Sequence, residues 1–406
     1  MKLKNNLNCK EPTFQQLANA VETNSYEELL SYLLNLVALI ERKLYLENRP
    51  DDKGNGFRNR KLHAGSLSFQ LKIPRTRNSN FRPFFLPEKW KRHSETDYLN
   101  LAYSLILSSK SIQAAKRALK EPGIPFSENH FEELLTELRE ELKALNTSPL
   151  NPDWFTLIMD ARATKVKEDS QIIPYTIYTV AGIGLDGKKQ ILITEPMKGE
   201  EKLEDWKEIL KRLLNRGIRR VLIVVHDDFS GLLKLTKSYF PGADIQLCTV
   251  HLVRNAKKHV SASGYENFKK MFFAIKSSPS YEYASSLFEQ LCEEVKKENS
   301  TYAERLRGRK KHYLAFLKYP SEVRSVIAST NMAEGLNRKI EDAEQFCGGY
   351  FHSTENLGVK LAVMVRELHT GKWRKPTPKI AKVSHILYAE FDGRFKDNQD
   401  KETHFS

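Results

Sequence analysis

Apolar residues recur along this chain with two different periods, and the switches between them mark its elements. A helix is predicted from Ser25 to about Glu47. It opens with an S-x-x-E capping box, Ser25 and Glu28, and its leucines follow at helical spacing. Residues 48–61 are rich in Gly, Asp and Asn and read as a loop. The period then becomes two. Leu67, Phe69, Leu71 and Ile73 alternate with Ser66, Ser68, Gln70 and Lys72, which predicts a half-buried strand. Helical spacing returns at about 95–107, and a polar turn at 108–111 leads to a second helix ending at Lys120. A third helix starts behind the N-cap Ser127. Two short helices joined by a tight polar turn are compatible with a helix-turn-helix.

The middle of the chain is β-rich. Strands are predicted at Trp154–Asp160, Tyr175–Leu185 and Gln190–Thr194, followed by a helix with Trp206, Ile209, Leu210, Leu213 and Leu214 inward. The continuous apolar strand Val221–Val225 ends in His226-Asp227-Asp228; another helix and a strand at Ile245–Val250 complete the series. That order predicts an α/β fold with a mixed sheet, of the ribonuclease-H-like kind. From Leu252 to Val323 the pattern is helical, clearest at Tyr281–Glu298, and reads as an all-helical insertion into that core. The expected organisation is a helical region over 1–55 and a basic DNA-binding region with the helix-turn-helix candidate over 56–150. The core's first part spans 151–251, the insertion 252–325 and the core's second part 326–375. The tail, 376–406, ends in about twenty polar residues expected to be loose.

Charge adds a partner to this picture. Lys and Arg number 65 against 51 Asp and Glu, a formal +14, which favours a polyanion. Between Gly56 and Arg92 the only acid is Glu88, and Phe57, Phe81, Phe84, Phe85 and Trp90 interleave with the cations, the last of which are Lys89, Lys91 and Arg92. Candidate DNA contacts are Arg58, Arg60, Lys61, Arg75, Arg77 and Arg82 there, and Lys110, Lys116 and Arg117 in the helix-turn-helix candidate. Arg254 and the run Arg309, Lys310 and Lys311 lie further along. A single basic run is usually a solvated face; several together can track a long duplex. Four scattered cysteines form no CxxC pair, which suits a reducing compartment. The apolar stretch Leu29–Ile40 is too short to span a membrane, and the first residues contain no apolar signal core. The expected location is cytoplasmic and nucleoid-associated, with no membrane partner.

Candidate chemistry lies in three acids. Asp160 and Asp227 each end an apolar run, and an acid at the carboxyl end of a buried strand stands at the rim where open α/β sheets bind ligands. Glu334 falls on a predicted helix behind Ser329 and Thr330, sharing one face with Asn331, Asn337 and Arg338. One such acid alone is usually a turn or cap residue. Three on elements of the right type suit two Mg²⁺ ions about 3.5–4 Å apart, with Mn²⁺ as a substitute, because Mg²⁺ prefers hard oxygen ligands. Cys248 and His251 have the spacing of half a zinc site, without a second pair at ligand spacing nearby. His251 reads either as a donor near the acids or as a structural histidine at a helix start. Strand alternation turns Asp228 away from Asp227, and His226 either modulates the metal or caps the strand.

Several segments together carry a resemblance. They are IPRTRNSNFRP (73–83), LILSSKSIQAAKRAL (105–119) with GIPFS after it, LIMDARATKV (157–166), RGIRRVLIVVHDDFSGL (216–232), FPGADIQLCTVHLVRNAKK (240–258) and YPSEVRSVIASTNMAEGLNRKI (319–340). From about Arg58 to His369 the chain resembles the mutator-type DDE transposases of bacterial and archaeal insertion sequences. The resemblance implies that Asp160, Asp227 and Glu334 are the catalytic, metal-holding acids, 67 and 107 residues apart, with a helical insertion in the longer gap. It also matches Cys248 and His251 to the family's Cys/Asp-x-x-His element. Implied partners are the element's terminal inverted repeats and target DNA, bound by a homodimer that cleaves and transfers a 3′-hydroxyl. The order leaves a copy-out or a cut-and-paste route open. Asp228 departs from the family pattern, while Gly231, four residues after Asp227, supports the match. Two other functions use the same features: a domesticated, catalytically silent DNA-binding protein, and a ribonuclease-H-like nuclease, against which the basic block speaks.

Overall fold

The computed structural model describes residues 26–64, 67–78, 81–86, 95–120 and 128–402. The caps Ser25 and Ser127, Ser66, Cys9, the GIPFS segment and the Glu88–Arg92 end of the basic block lie outside them. The chain forms two compact units, 1–106 with 113–131, and 107–112 with 132–406.

In the first unit the leucine-rich stretch is helix α1 (Tyr26–Glu47). Strands β1 (Gly54–Ala64) and β2 (Leu67–Thr76) pair antiparallel. β1 corrects the loop expected over 48–61. Its residues from Gly54 to Asn59 are exposed, so no apolar alternation announces the strand. Backbone pairing to β2 holds it, with Arg58 opposite Ile73 and Arg60 opposite Leu71. Leu62, Phe69, Leu71, Ile73 and Leu86 make a small core against which Leu34 of α1 packs. Asn35, which interrupts the greasy stretch of α1, accepts a hydrogen bond from Lys72 N at 2.7 Å and pins helix to strand. Helices α2 (Glu95–Ser108), α3 (Ile112–Lys120) and α4 (Glu128–Thr147) follow. The turn between α2 and α3 belongs to the second unit. There the fully buried Lys360 donates to Leu107 O and Ser109 O at 2.8 and 2.9 Å, which satisfies a charge that burial would otherwise make costly.

The second unit is built on a mixed sheet of β3 (Asp153–Glu168), β4 (Gln171–Ile183), β5 (Lys189–Lys198), β6 (Arg220–His226) and β7 (Asp244–Leu247), in the order β5-β4-β3-β6-β7. The first three strands form an antiparallel meander, whereas β3, β6 and β7 run parallel. Parallel neighbours need crossovers. Helix α5 (Leu203–Asn215) leads into β6, and α6 (Leu232–Tyr239) joins β6 to β7. Trp206, Ile209, Leu210 and Leu213 of α5 pack on Leu157, Met159, Val180 and Val224. Phe155, Ile158, Ile223 and Val225 join a second core with the following helices. These are α7 (Thr249–Ala256), α8 (Ala262–Lys276), α9 (Tyr281–Lys296), α10 (Ser300–Tyr313) and α11 (Ser321–Ile327). Beyond them come α12 (Asn331–Phe346), α13 (Thr354–Thr370), α14 (Pro378–Ala381) and α15 (Ser384–Glu402).

Two boundaries differ from the sequence reading. β7 stops at Leu247, because Cys248 N makes the last bond to His226 O and Thr249 N turns to Ala328 O, opening α7. The expected loose tail is a helix through most of its length. Phe391 and Phe395 are buried, and Arg394 donates to Leu222 O at 2.9 Å. With Leu387, fully buried on the same stripe, three apolar residues spaced by four dock an otherwise polar helix by one edge. No helix among the described residues is long and apolar enough to cross a membrane.

Candidate active site

Asp160 does not end its strand, as the apolar run before it suggested. β3 continues to Glu168, paired with β4 throughout. What ends there is the neighbouring strand, since β6 stops at His226. The β3–β6 register pairs Ile158 with Val225. Asp160 lies two residues beyond Ile158 on β3, and Asp227 two residues beyond Val225, just past the end of β6. Asp227 accepts a hydrogen bond from Phe229 N at 3.2 Å within the turn that ends β6. Gly231 in that turn has φ +82°, and a Cβ there would meet Leu203 Cδ2 at 2.7 Å.

Glu334 reaches the same edge on α12. Leu336, Ile340 and Ala343 seat that helix on Val166, Tyr175 and Ile177 of the sheet. Arg162 of β3 ion-pairs with Glu344 at 3.2 Å and Glu341 at 3.5 Å, and Thr164 donates to Glu344 at 2.9 Å. Thr330 is the N-cap of α12, yet its hydroxyl does not cap; it lies 3.5 Å from Cys248 Sγ, which also accepts from Thr330 N. Cys248 therefore ties the end of β6 to the start of α12. Asn337, one turn beyond Glu334, donates to Asp160 Oδ2 at 2.6 Å. Asn331 and Arg338, expected on the same stripe, are exposed.

His251 of α7 stands between two of the acids. Its Nδ1 is 3.8 Å from Asp227 Oδ2 and its Nε2 is 3.9 Å from Glu334 Oε1. Arg254 Nη1 is 3.3 Å from the same Glu334 oxygen, which is buried and accepts no hydrogen bond. Burial pushes Asp160 up to about 7; His251 pulls it down, whereas the charges of Asp227, Glu334 and Glu201 add to the rise. The Asp227 carboxylate raises the His251 imidazole against the effect of burial, and Asp160 adds to it. Glu201, in the loop before α5, was missed in the sequence. Its Oε1 accepts from Trp206 Nε1 at 2.7 Å, and burial raises its carboxyl. An acid just before a helix looks like an ordinary helix-start residue, so nothing local marked it.

Among the described residues, no three His, Cys, Asp or Glu side chains form a ready-made metal cage. The donor set still fits a hard divalent cation. Its members are carboxylates, of which Asp227 and Glu334 add to the rise of Asp160, and one Glu334 oxygen is buried without a hydrogen bond.

The residues flanking Asp227 face elsewhere. His226 is fully buried, with Nδ1 2.5 Å from Asp227 O, and burial lowers its pKa. Asp228 turns to the helical segment, where it pairs with Arg305 at 2.8 Å and Arg309 at 2.5 Å. Lys310 pairs with Glu289 at 2.6 Å, while Lys311 is exposed. Arg309 and Lys310 thus spend much of their charge internally, which the sequence could not reveal. In the first unit Arg58, Lys61, Arg75 and Arg77 are exposed on the β1–β2 hairpin, and Arg82 donates to Leu86 O. Partial burial lowers the Arg60 pKa, and the charges of Arg82 and Arg58 lower it further, the mark of clustered cations. Lys110 and Arg117 are exposed, and Lys116 lies 3.9 Å from Glu128.

A mixed α/β sheet whose edge gathers acids, an imidazole and a guanidinium defines a class of protein built for charged ligands. The chain belongs to the Mutator family of transposases, whose model matches residues 11–375. The transposase for insertion sequence element IS406 of Burkholderia multivorans is 28% identical over 325 residues, covering 77% of this chain and 82% of that one. The transposase for element ISRM5 of Rhizobium meliloti is 32% identical over 218 residues, 53% of this chain and 54% of that one. Among solved structures, the Drosophila P element transposase strand transfer complex aligns with 72% of this chain and 85% of its own at 13% identity. The TM-score is 0.27, at which the likeness does not bear on the fold.

Proposed function

We propose that this transposase acts through a DDE site in which Asp160, Asp227 and Glu334 hold two Mg²⁺ ions, with Mn²⁺ as a substitute. The observation that carries this reading is the pair of bridges at the sheet edge. Asn337, from the helix of Glu334, binds Asp160, and His251 lies between Asp227 and Glu334. When bound, such ions activate the attacking oxygen and stabilise the leaving oxygen of an in-line displacement. The protein's own groups set the geometry. Asn337 holds one oxygen of Asp160 and leaves the other for a ligand. Arg254 offers its guanidinium beside Glu334 to a phosphate, and His251 keeps two acids apart that would otherwise repel.

In this reading the sheet and α12 are a ribonuclease-H-like core, interrupted by the helices over 252–325. The basic hairpin and the α2–α3 pair bind the terminal inverted repeats, and a homodimer brings two ends together in the cytoplasm, at the nucleoid. The core then cleaves the ends and joins a 3′-hydroxyl to target DNA. The test is strand transfer of end-bearing DNA in Mg²⁺ or Mn²⁺ by Asp227→Asn and Glu334→Gln. Both should lose about a thousandfold or more of the activity while still binding the duplex. Joining at the wild-type rate by either variant would rule the site out, and would favour a role in DNA binding alone.

A further inference from the structure

A cavity of about 160 Å³ lies between α7 and α10, lined by Asp228, Asn255, Lys258, His259, Tyr302 and Arg305 among others. Its size is close to the roughly 150 Å³ that accommodates a benzene ring, ample for a phosphate group. Asp228 is its only acidic lining residue, and that carboxylate is already shared by Arg305 and Arg309. Arg305 and Lys258 against one carboxylate leave the lining net positive, and Arg309 neutralises Asp228 further from outside it. Lys258 is exposed and engaged in no side-chain hydrogen bond or ion pair among the described residues. The Tyr302 hydroxyl is buried, in a side chain only 6% exposed, and has no hydrogen-bond partner. The Tyr302 ring is held by stacking on His259, with centroids 4.1 Å apart and planes within 18°. A fixed, buried donor without an acceptor is unfavourable until an oxygen meets it.

We propose that this cavity is a phosphodiester subsite, which takes one backbone phosphate of the bound DNA on Lys258, Tyr302 and Arg305. A phosphate's oxygens accept from several donors at once, which matches an ammonium, a phenol and a guanidinium among the lining residues. Asp228 is the residue after Asp227, so the subsite is coupled through one peptide unit to the proposed reacting centre. It holds a phosphate of the strand near the scissile one and orients it. The helical segment, through Tyr302 and Arg305 of α10, thereby takes part in DNA positioning. This inference rests on the reading of the chain as a DNA-binding enzyme.

The test uses the full chain and a linear duplex oligonucleotide, with binding measured by fluorescence anisotropy over a salt series. Lys258→Ala should lower the slope of log K against log salt by about 0.9. Tyr302→Phe removes a single oxygen that has no partner in the fold, so its melting temperature should be no lower than that of the wild type. Its DNA affinity should fall about tenfold with the slope unchanged, since the deleted donor is neutral. If the wild type binds and Tyr302→Phe binds equally well, or Lys258→Ala keeps the full slope, the subsite is overturned while the proposed function stands. Failure of the wild type to bind any duplex overturns both.

Discussion

Asn337 makes the contact on which the geometry of Asp160 depends most directly. With its 2.6 Å bond to Oδ2, the amide fixes a carboxylate that is only 5% exposed. Replacing Asn337 by Ala should lower strand transfer about 10- to 100-fold, the usual effect of removing a group that orients a metal-holding side chain. Duplex affinity should stay unchanged, and an unaltered transfer rate would show that Asp160 needs no such support. The three acids stand out in the sequence against their own elements: two close apolar runs, and Glu334 shares a polar face with Asn331, Asn337 and Arg338. Asn337 was legible for the same reason, through its spacing from Glu334. Glu201 was not, because its closeness to Asp160 comes from a loop folding over the sheet edge and leaves no periodic trace.

At the scale of elements, charge joins β7 and α15 in addition to the apolar stripe Leu387, Phe391 and Phe395 of α15. Asp244 of β7 accepts from Lys318 at 2.7 Å and Tyr319 at 3.1 Å, and Arg394 of α15 lies 3.1 Å from it. Burial alone would raise the Asp244 carboxyl, yet these partners hold it below its ordinary value of 3.8. A carboxyl whose folded pKa is depressed stabilises the fold fully above its unfolded value, and that share is lost as the pH falls through the folded one. Acid unfolding should therefore be shallower in Asp244→Asn than in the wild type at pH values below about 4. A parallel course would mean the carboxylate does not stabilise the fold. Arg394→Ala should destabilise by about 1 kcal/mol in denaturant titration, since Lys318 and Tyr319 stay on Asp244 while the bond to Leu222 O is lost; a change near zero would show α15 to be held by Leu387, Phe391 and Phe395 alone. Neither α15 nor β1 was legible. β1 is held by its partner strand, and the apolar stripe of α15 is set in a polar surround; the apolar strands were located by their runs, although β3 continues eight residues past Asp160, to Glu168.

For the whole molecule the formal charge is +14, and between Gly56 and Arg92 the cations meet a single acid, Glu88. Arg75 and Arg77 are exposed on β2 and its end, close in sequence to the clustered guanidiniums of Arg58, Arg60 and Arg82. Changing both to Ala should weaken binding to element ends and reduce the salt slope by about one unit for each phosphate that is no longer neutralised; an unchanged slope would place the DNA elsewhere. The α/β architecture was legible from the order of strands and helices. The gathering of acids at one edge was legible only as an expectation, since no spacing along a chain fixes a distance in space. On that gathering the proposed chemistry stands, and anomalous scattering from Mn²⁺ in crystals of the chain with its DNA ends tests it most directly. Manganese should be coordinated by carboxylate oxygens of Asp160, Asp227 and Glu334; manganese bound without Glu334, or none at this edge, would contradict it.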